Sequence, residues 1–328
     1  MTATRIRAVR CHELSGPSSL RVDEIDAPNV GSGDVAIDVR AAGVNFPDVL
    51  LSYGKYQFKP QPPFIPGGEV SGVVRAVGAG VSLKVGERVA CTMINGAFAE
   101  QVVVPELSVV KLPDNVSFEV GAATLLTYLT TIHALVDRAS LHEGETLLVL
   151  GASGGVGTAA IQLGKLLGAR VIAAAGSADK VAYCKAQGAD EGIDYSTEDL
   201  KERVKALTNG RGANVIYDAV GGSYSEAALR AIAWEGRHLV VGFAAGDIPK
   251  IPLNLTLLKG CQIIGVFWGQ FALREPEKNR KNGERVFAWI GEGKLTPHID
   301  RTLPFARAGE ALAAMERREV KGKIVLTP

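Results

Sequence analysis

TLLVLGASGGVGTAAIQLGKLLGA, residues 146–169, determines the fold class because it joins a short apolar strand to a helix through a glycine-rich turn. In GASGGVG (151–157), Gly154 lets the backbone approach a pyrophosphate and Gly157 allows close helix–strand packing. Backbone N–H groups at a helix start hold phosphates. The dinucleotide-contacting positions we expect here are Ser153, Gly154, Gly155, Val156 and Gly157. Ala152 stands where G-x-G-x-x-G has its first glycine, so the turn needs the support of the strands and helices beyond it.

Strands and helices alternate after this turn. The patterning predicts strands at 170–176, 192–195, 214–220, 237–243 and 262–267, with helices at 155–167, 178–187, 198–208 and 223–233. Such alternation produces a parallel sheet with helices on both faces. Two further helices are predicted at 277–291 and 304–317, and the closing KGKIVLTP is predicted to be a strand that returns to the first domain.

Residues 1–120 have a different character, with short alternating or β-branched runs separated by Gly, Pro, Ser or Asn. This pattern indicates a compact, partly closed β domain, and helical patterning begins in 118–139. The chain has 328 residues, which is more than one hydrophobic core usually organises. We therefore expect an α/β protein with a β-rich first domain and a doubly wound parallel sheet.

Composition excludes several classes of protein. The net charge is +1 and no basic run exceeds two residues, which argues against nucleic acid as a partner. We expect no secretory signal in the opening residues and no membrane span, since no apolar run approaches about 18 residues. The four cysteines are isolated in the sequence, which favours reduced thiols and a cytoplasmic location.

A hydrolase is the main rival interpretation of the turn, because Gly151–Gly155 also fits the G-x-S-x-G nucleophile elbow around Ser153. That enzyme requires an oxyanion loop, often HGG-like, and the chain has no His-Gly pair. Asp218 and His298 are available as downstream acid and base, but nothing in the sequence supports them. Ser153 is therefore interpreted as a cofactor-binding position.

The end of the second strand indicates which dinucleotide binds. NAD sites usually carry an acidic residue there, whereas this strand ends Ala175-Gly176 and is followed by Ser177 and Lys180. Tyr195 ends the third strand. A hydroxyl, a cation and a phenol at one edge suit the 2′-phosphate of NADPH. Asp179 is the complication, and we interpret it as an acid in the first turn of a helix.

The chain resembles the quinone oxidoreductase (ζ-crystallin-like) branch of the medium-chain dehydrogenase/reductase superfamily over essentially its whole length. The segments that carry the resemblance are AAGVNFPDVLLSYGKY (41–56), PFIPGGEVSGVVRAVGAGV (63–81), GERVA (86–90), GAFAEQVVVP (96–105), GASGGVG and NVIYDAVGG (214–222). The resemblance implies a GroES-like catalytic domain at 1–122 with 270–328, and a Rossmann NADPH-binding domain at 123–269. It also implies a homodimer with about 262–269 at the interface, and it assigns Ser177, Lys180 and Tyr195 to the 2′-phosphate.

Metal binding is not expected. Asn45 stands where zinc-binding relatives carry a catalytic cysteine, and Gly68 stands at their histidine, with Glu69 retained. The structural-zinc lobe with its four cysteines is missing. Without a Lewis acid an alkoxide is hard to stabilise, so the acceptor should be intrinsically electrophilic. Quinones are the first expectation, and enones, enals or acryloyl-type thioesters are the alternative.

The candidate catalytic residues lie in the segment that faces the nicotinamide in relatives. Asn45 is expected to hydrogen-bond the acceptor oxygen or the nicotinamide ribose, or else to be a turn residue before Pro47. Asp48 either takes part in the site or caps the helix DVLLSYG. Tyr56 either donates to the developing oxyanion or forms an aromatic wall. Leu50 replaces a tyrosine that is frequent in the family, which weakens any assumption about quinone stacking.

Further cofactor contacts are expected where the chain enters the second domain and after its last strands. Thr127 and Thr130 are candidates for the nicotinamide carboxamide, with helix packing as the alternative. Ligands bind at the carboxyl ends of parallel strands. The candidates there are Phe243, Phe267, Trp268 and Gly269. Because contacts there are made by the backbone, the side chains do not sharpen this prediction.

The resulting hypothesis is an NADPH-dependent reductase of a small-molecule quinone, with hydride transfer in the interdomain cleft, where water is excluded. The alternative from another class is a non-catalytic NADPH-binding protein of the crystallin type. NADPH binding without turnover on any quinone or enone would distinguish the second from the first.

Overall fold

The computed structural model describes residues 4–328, and the chain forms two compact units. Within the described residues, unit 1 comprises 4–126, 275–293 and 297–328, and unit 2 comprises 127–274 and 294–296. The expected boundaries at 122/123 and 269/270 fall a few residues before those of the units. The architecture is α/β, with a GroES-like β-rich unit and a Rossmann parallel sheet.

Unit 1 is built on a seven-stranded sheet in the order β14-β15-β3-β4-β5-β7, with β6 paired to β3, and on a separate hairpin of β1 and β2. Its strands are β1 (Arg5–Cys11), β2 (Leu20–Asp26), β3 (Asp34–Val44), β4 (Glu69–Val77), β5 (Arg88–Thr92), β6 (Gln101–Pro105), β7 (Val109–Lys111), β14 (Ile299–Pro304) and β15 (Lys323–Thr327). Its helices are α1 (Phe46–Ser52), α2 (Phe118–Ala122), α10 (Pro276–Gly291) and α11 (Ala308–Glu316).

The last strand returns to the first unit, as the sequence predicted. β15 pairs antiparallel with β3 and sets Ile324 opposite Val44. This register brings Lys323 next to the end of β3. Immediately after β3, Pro47 in the first turn of α1 favours the start of a helix, because its fixed φ is already helical. The end of β3 and the start of β15 therefore meet beside the start of α1.

Unit 2 is built on six parallel strands in the order β10-β9-β8-β11-β12-β13. They are β8 (Thr146–Leu150), β9 (Arg170–Ala175), β10 (Glu191–Asp194), β11 (Ala213–Asp218), β12 (Ile232–Val240) and β13 (Gln262–Gly265). The α-helices are α3 (Leu125–Ile132, which starts in unit 1), α4 (Gly155–Leu166), α5 (Ala178–Ala186), α6 (Leu200–Leu207), α7 (Gly222–Arg230), α8 (Asn254–Lys259) and α9 (Trp268–Arg274), and a π-helix comes after α3 at His133–Arg138. The strand order reverses between β8 and β11, where such sheets bind ligands.

Helices cover both faces of this sheet, which explains why β8 and β9 are apolar without alternation. On one face of β8, Leu147 lies so close to α4 that a Cβ at Gly164 would meet it at 2.7 Å. On the other face, Leu148 packs in a buried cluster with Val204 of α6 and Leu229 of α7. Both neighbouring residues of β8 are fully buried.

Two details differ from the sequence prediction. The helix predicted at 223–233 ends at Arg230, because β12 already begins at Ile232. Glu235 has φ +58° inside this strand, and the irregular start hides the strand pattern upstream of Arg237. The sequence pattern also does not reveal the short helices α8 and α9. All but one of the residues of these two helices remain partly or fully exposed, so they lack the buried stripe that marks a helix.

Among residues 4–328, no helix has the length and apolar character needed to cross a membrane. The four cysteines are free thiols, and Cys11, Cys91 and Cys184 are buried. Burial raises the pKa of the Cys91 and Cys184 thiols to about 12, so neither is a thiolate nucleophile at neutral pH.

Candidate functional site

The glycine turn (residues 151–157) is shaped by two glycines that the protein itself requires. Gly151 has φ +67°, in the left-handed region, and a Cβ there would lie 2.8 Å from Val220. At Gly157 a Cβ would lie 2.4 Å from the Gly151 carbonyl oxygen and 2.6 Å from the Cα of Ala152. The start of α4 therefore approaches the end of β8 as closely as the sequence predicted.

Gly154 is different, because nothing in the protein occupies the place of its side chain. A Cβ there would have one neighbour within 4 Å, the Gly151 carbonyl oxygen at 3.6 Å. Gly155, Val156 and Gly157 form the first turn of α4, and their N–H groups donate to no acceptor within the described part of the chain. Open space beside unused donors fits the pyrophosphate of a dinucleotide.

The ends of β9 and β10 bring three predicted residues to one edge of the sheet. Ser177 caps α5, with its hydroxyl accepting from the N–H of Lys180 at 3.3 Å. The ring of Tyr195 lies beside Gly176, where a Cβ would meet it at 3.3 Å, and tilts against Tyr224 with ring centroids 4.3 Å apart. The Ser177 hydroxyl, the first turn of α5 that carries Lys180, and the Tyr195 phenol thus lie at the same edge of the sheet.

No acidic side chain ends β9, whose last residue is Ala175. Asp179 is exposed and lies in the first turn of α5, where an acid stabilises the helix dipole. Its position matches the interpretation as a helix acid. The edge therefore lacks the carboxylate that NAD sites use for the ribose hydroxyl.

The turn after β11 is organised by Asp218, which from the sequence alone was a candidate only as a hydrolase acid. Its buried carboxylate accepts from the N–H groups of Val220 and Gly221 (2.9 Å each), the hydroxyl of Ser225 (2.5 Å) and the Nε2 of His238 (3.1 Å). Although burial opposes ionisation, these hydrogen bonds hold the pKa of Asp218 below its usual range. Because Val220 contacts Gly151, Asp218 also supports the glycine turn.

These contacts also bear on the hydrolase interpretation. The histidine paired with Asp218 is His238 in β12, not His298, and the serine that contacts this carboxylate is Ser225. Ser153 is buried and makes no hydrogen bond to a histidine within residues 4–328. The arrangement of nucleophile, base and acid that such an enzyme needs is not formed around Ser153.

The remaining cofactor candidates lie on several elements of unit 2. Phe243 comes after β12 and packs against Gly221, where a Cβ would lie 2.9 Å from its ring. Thr127 is buried in α3, and its carbonyl accepts from the hydroxyl of Thr131. The other four lie at three places. Thr130 is half-buried in α3, Phe267 lies beyond β13 and is exposed, and Trp268 and Gly269 are half-buried at the start of α9.

In unit 1, Asn45 and Asp48 belong to a buried network at the start of α1. The Asp48 carboxylate accepts from the N–H of Asn45 (2.8 Å) and from that of Gly67 (3.1 Å). Asp48 thus caps the helix, which is one of the two roles considered for it. Burial raises its pKa to about 7 and outweighs these hydrogen bonds and the charge of Lys323, which lower it.

Lys323 and Glu69 complete this network, and sequence reasoning did not identify the lysine. Its ammonium donates to the Glu69 carboxylate (2.6 Å), the Asn45 side-chain oxygen (2.5 Å) and the Val44 carbonyl (2.9 Å). The Asn45 amide in turn donates to Glu69 (2.8 Å) and to the Gly43 carbonyl (3.3 Å). We call Asn45, Asp48, Glu69 and Lys323 the lysine cluster; all four are at least 96% buried.

Tyr56 lies a few residues beyond the lysine cluster and differs from it in being partly exposed. Its ring packs against Cys11, Leu51 and Phe64. The hydroxyl makes no side-chain hydrogen bond within the described part of the chain. Burial, with a smaller contribution from the charge of Asp48, raises the pKa of Tyr56 above its usual value. The hydroxyl is therefore protonated at neutral pH and available as a donor.

Residues 4–328 contain no cluster of metal ligands. No group of three or more His, Cys, Asp or Glu side chains in this range is arranged to hold a metal ion. The cation beside Asn45 and Glu69 is the ammonium of Lys323.

Two family models match the chain, and they correspond to the two sheets. The model described as "Alcohol dehydrogenase GroES-like domain" matches residues 31–114. The model described as "Zinc-binding dehydrogenase" matches residues 155–282. The matches thus cover β3 to β7 of the unit 1 sheet and β9 to β13 of the unit 2 sheet.

Curated proteins and solved structures are similar over nearly the whole chain. A quinone oxidoreductase-like protein 2 homolog of Nematostella vectensis is 39% identical over 325 residues, covering 98% of this chain and 88% of that protein. A quinone oxidoreductase of Pseudomonas aeruginosa is 35% identical, covering 95% and 97%. The structure of Escherichia coli quinone oxidoreductase complexed with NADPH superimposes with a TM-score of 0.90 at 28% identity, covering 98% and 100%.

Proposed function

Because the chain belongs to the quinone oxidoreductase branch of the medium-chain dehydrogenase/reductase superfamily, we propose that it is an NADPH-dependent reductase that transfers hydride to a quinone. The observation that carries the proposal is the glycine turn. Its open place at Gly154 and its unused N–H donors fit a ligand with oxygen acceptors.

The cofactor fits the residues present in unit 2. The N–H groups of Gly155, Val156 and Gly157 would hold the pyrophosphate. Ser177, Lys180 and Tyr195 would hold the 2′-phosphate, since the hydroxyl of Ser177 accepts from a backbone N–H and still has its own proton to donate. The Escherichia coli relative has NADPH bound in its structure, which supports the same choice here. When bound, NADPH supplies the hydride.

The residues of unit 1 would act on the acceptor. We propose that Tyr56 donates a hydrogen bond to the acceptor oxygen as negative charge develops on it, because its hydroxyl is protonated and not otherwise engaged. Asn45 has both amide protons committed to Glu69 and Gly43. Its side-chain oxygen accepts from Lys323, so its role in the proposal is to shape the segment that leads to Tyr56.

The class of acceptor depends on these groups. Neither Asn45 nor Gly68 offers an imidazole or thiolate ligand, so the proposal uses no Lewis acid. One tyrosine hydroxyl stabilises a weak electrophile less than a metal does, which favours an acceptor that is already electron-poor. A quinone meets this condition best, and an enone or enal meets it less well.

We further propose a homodimer formed through residues around 262–269. β13 is the edge strand of its sheet and pairs, within the described residues, only with β12. Large apolar side chains nearby in sequence or on paired elements are at least 67% exposed: Trp234, Leu253, Leu257 and Leu258. Apolar exposure of this kind beside a free sheet edge is typical of an interface.

Light scattering should give a dimer mass for the wild type and a monomer mass for Leu257→Asp. Val85→Asp, at an exposed valine of unit 1, is the control.

An acceptor screen tests the enzymatic proposal. Purified protein is given NADPH or NADH with a panel of quinones, enals, enones and enoyl thioesters, and loss of reduced nicotinamide is measured. The proposal predicts the highest kcat/KM with a quinone and NADPH. A preference for an enoyl thioester would replace quinone as the substrate class, and NADPH binding without any turnover would refute the reductase.

A further inference from the structure

The ammonium of Lys323 is buried and fully matched by acceptors. It contacts three oxygens from separate parts of unit 1, namely the Val44 carbonyl at the end of β3, the Asn45 side chain and the Glu69 carboxylate. Only 4% of Lys323 is exposed, whereas lysine is almost never fully buried unless it is paired. Each of its three N–H groups therefore has a defined acceptor.

Both oxygens of the Glu69 carboxylate also accept hydrogen bonds within the protein. One oxygen accepts from Lys323 and from the Asn45 amide, and the other accepts from the N–H of Leu126 at 2.9 Å. The backbone leaves room for it at Gly43, where a Cβ would lie 2.5 Å from a Glu69 oxygen. The position of this charge pair is thus fixed by three segments distant in sequence.

A gain in stability does not by itself explain such a pair. Removing two charges from water costs about as much as their attraction returns, and apolar residues of similar volume are often as stable. The consequence peculiar to this arrangement is the orientation of Asn45. A cation on its oxygen and a carboxylate on its nitrogen permit one amide orientation and forbid the flipped one.

We propose that Lys323 is a positioning residue for the acceptor-side segment 45–56, and this rests on the proposed function. Lys323 fixes the side chain of Asn45, and the N–H of Asn45 binds Asp48 in the first turn of α1. α1 ends at Ser52, and Tyr56, four residues further on, packs against the buried cluster that includes Leu51 of this helix. Loss of the ammonium releases Asn45 and loosens the start of α1, which displaces the tyrosine hydroxyl relative to the acceptor.

Four variants test this: Lys323→Met, Glu69→Gln/Lys323→Met, Asn45→Ala and Asn45→Ala/Lys323→Met. We expect Lys323→Met to lower kcat with an enone by roughly 10- to 100-fold, the size of effect that a misplacement of about 1 Å produces. With a quinone the loss should be about 10-fold or less, since it cannot exceed the effect of removing the Tyr56 hydroxyl itself. The Kd for NADPH should change less than about 2-fold, since the glycine turn is untouched. Lys111→Met, which removes an exposed lysine paired with Glu87, is the matched control and should leave kcat unchanged.

The double variants separate positioning from charge neutralisation. Glu69→Gln/Lys323→Met leaves no unpaired charge, so its Tm should recover towards the wild-type value while kcat stays low. Asn45→Ala/Lys323→Met should be no slower than Asn45→Ala alone, because both changes disrupt the same contact. Recovery of kcat together with Tm, or strictly additive losses of kcat, would overturn the proposal.

A measurement independent of turnover keeps this result separate from the enzymatic proposal. In protein labelled with ¹⁵N-asparagine, the side-chain amide of Asn45 should be protected from solvent exchange in the wild type. That protection should be lost in both variants that lack Lys323 but retain Asn45. A wild type without reductase activity refutes the proposed function alone, whereas an Asn45 amide that stays protected without Lys323 refutes the positioning role.

Discussion

The glycine turn of unit 2 and the lysine cluster of unit 1 differ in whether their polar groups have hydrogen-bond partners within the protein. In the turn, Gly155, Val156 and Gly157 present N–H donors that no described residue uses. In the lysine cluster, the ammonium of Lys323, the carboxylate of Glu69 and both ends of the Asn45 amide are all paired inside the protein. Unused donors fit a region that binds a ligand, and complete pairing fits a region that holds a shape.

The same contrast appears between two buried aspartates. Burial raises the pKa of Asp48 to about 7, although two backbone N–H groups bind its carboxylate. Asp218 is also buried, yet its pKa is lowered, because four donors including His238 surround it. The number and charge of the donors, and not burial alone, decide which form of a buried acid is stable.

The largest effect should come from adding one methyl group at each of two glycines in the turn. Gly154→Ala should keep the wild-type Tm, since its Cβ meets only one atom at ordinary contact distance, while the Kd for NADPH rises about 100-fold from a clash with the pyrophosphate. Gly157→Ala should instead lose stability, by about 1–3 kcal/mol, because its Cβ overlaps Gly151 and Ala152.

Thermal unfolding and NADPH titration of both variants measure this difference. Equal losses of Tm in the two variants would mean that Gly154 is needed for packing. In that case the open place at Gly154 would not be a binding site, and the proposed role of the turn would fail.

The role of Tyr56 as the free donor beside the lysine cluster is tested with two acceptors. Tyr56→Phe should lower kcat with an enone by about 100-fold and with a quinone by about 10-fold or less, because the weaker electrophile depends more on the donor. Binding of NADPH should be preserved. Deuterated NADPH shows whether hydride transfer is the step affected, and unchanged kcat with both acceptors would remove Tyr56 from the mechanism.

The choice of cofactor depends on the edge formed by Ser177, Lys180 and Tyr195. Lys180→Ala should raise the KM for NADPH roughly 10-fold or more, since a charge-assisted hydrogen bond contributes about 1.5–3 kcal/mol. The KM for NADH should hardly change. Asp179→Ala, one residue earlier in the first turn of α5, is the matched control. If NADPH and NADH weakened equally in Lys180→Ala, the lysine would be structural.

The two aspartates should give stability effects with opposite dependence on pH. Asp48 has a raised pKa in the folded state, so the folded protein binds more protons than the unfolded chain between about pH 4 and pH 7, and its contribution falls as pH rises through that range. Asp218 has a lowered pKa, so its contribution is present at neutral pH and is lost in acid. The Tm deficit of Asp48→Asn should therefore be largest in acid, and that of Asp218→Asn at neutral pH. Parallel profiles for the two variants would contradict this assignment.

The glycine turn could be predicted from the sequence because the residues that form it are close together in the chain. Strand, glycines and helix are contiguous, so the residues that shape the turn at Gly151, Gly154 and Gly157 lie within a few positions of each other. The return of β15 to the first unit was also predicted, and its pairing with β3 confirms it. The pattern of β12 was harder to recognise, because its first residues pass through an irregular step at Glu235.

The lysine cluster could not be found in this way. Lys323 reaches Asn45 and Glu69 across more than 250 residues of chain, and the register of β15 on β3 creates the contact. The available signal was a lysine between Gly322 and an apolar strand, which by itself is indistinguishable from a surface residue. Asp218 had the same difficulty, since its partner His238 lies on the neighbouring strand and is not near it in sequence.

A single-turnover experiment is the decisive test of hydride transfer from NADPH to a quinone. The protein is loaded with one equivalent of NADPH under anaerobic conditions and mixed with a quinone, while the reduced-nicotinamide absorbance and the hydroquinone are both measured. We predict that all bound NADPH is oxidised in one exponential phase with an equal yield of hydroquinone, and that NADH at the same concentration reacts far more slowly. Bound NADPH that stays reduced in the presence of the quinone would contradict the proposed function.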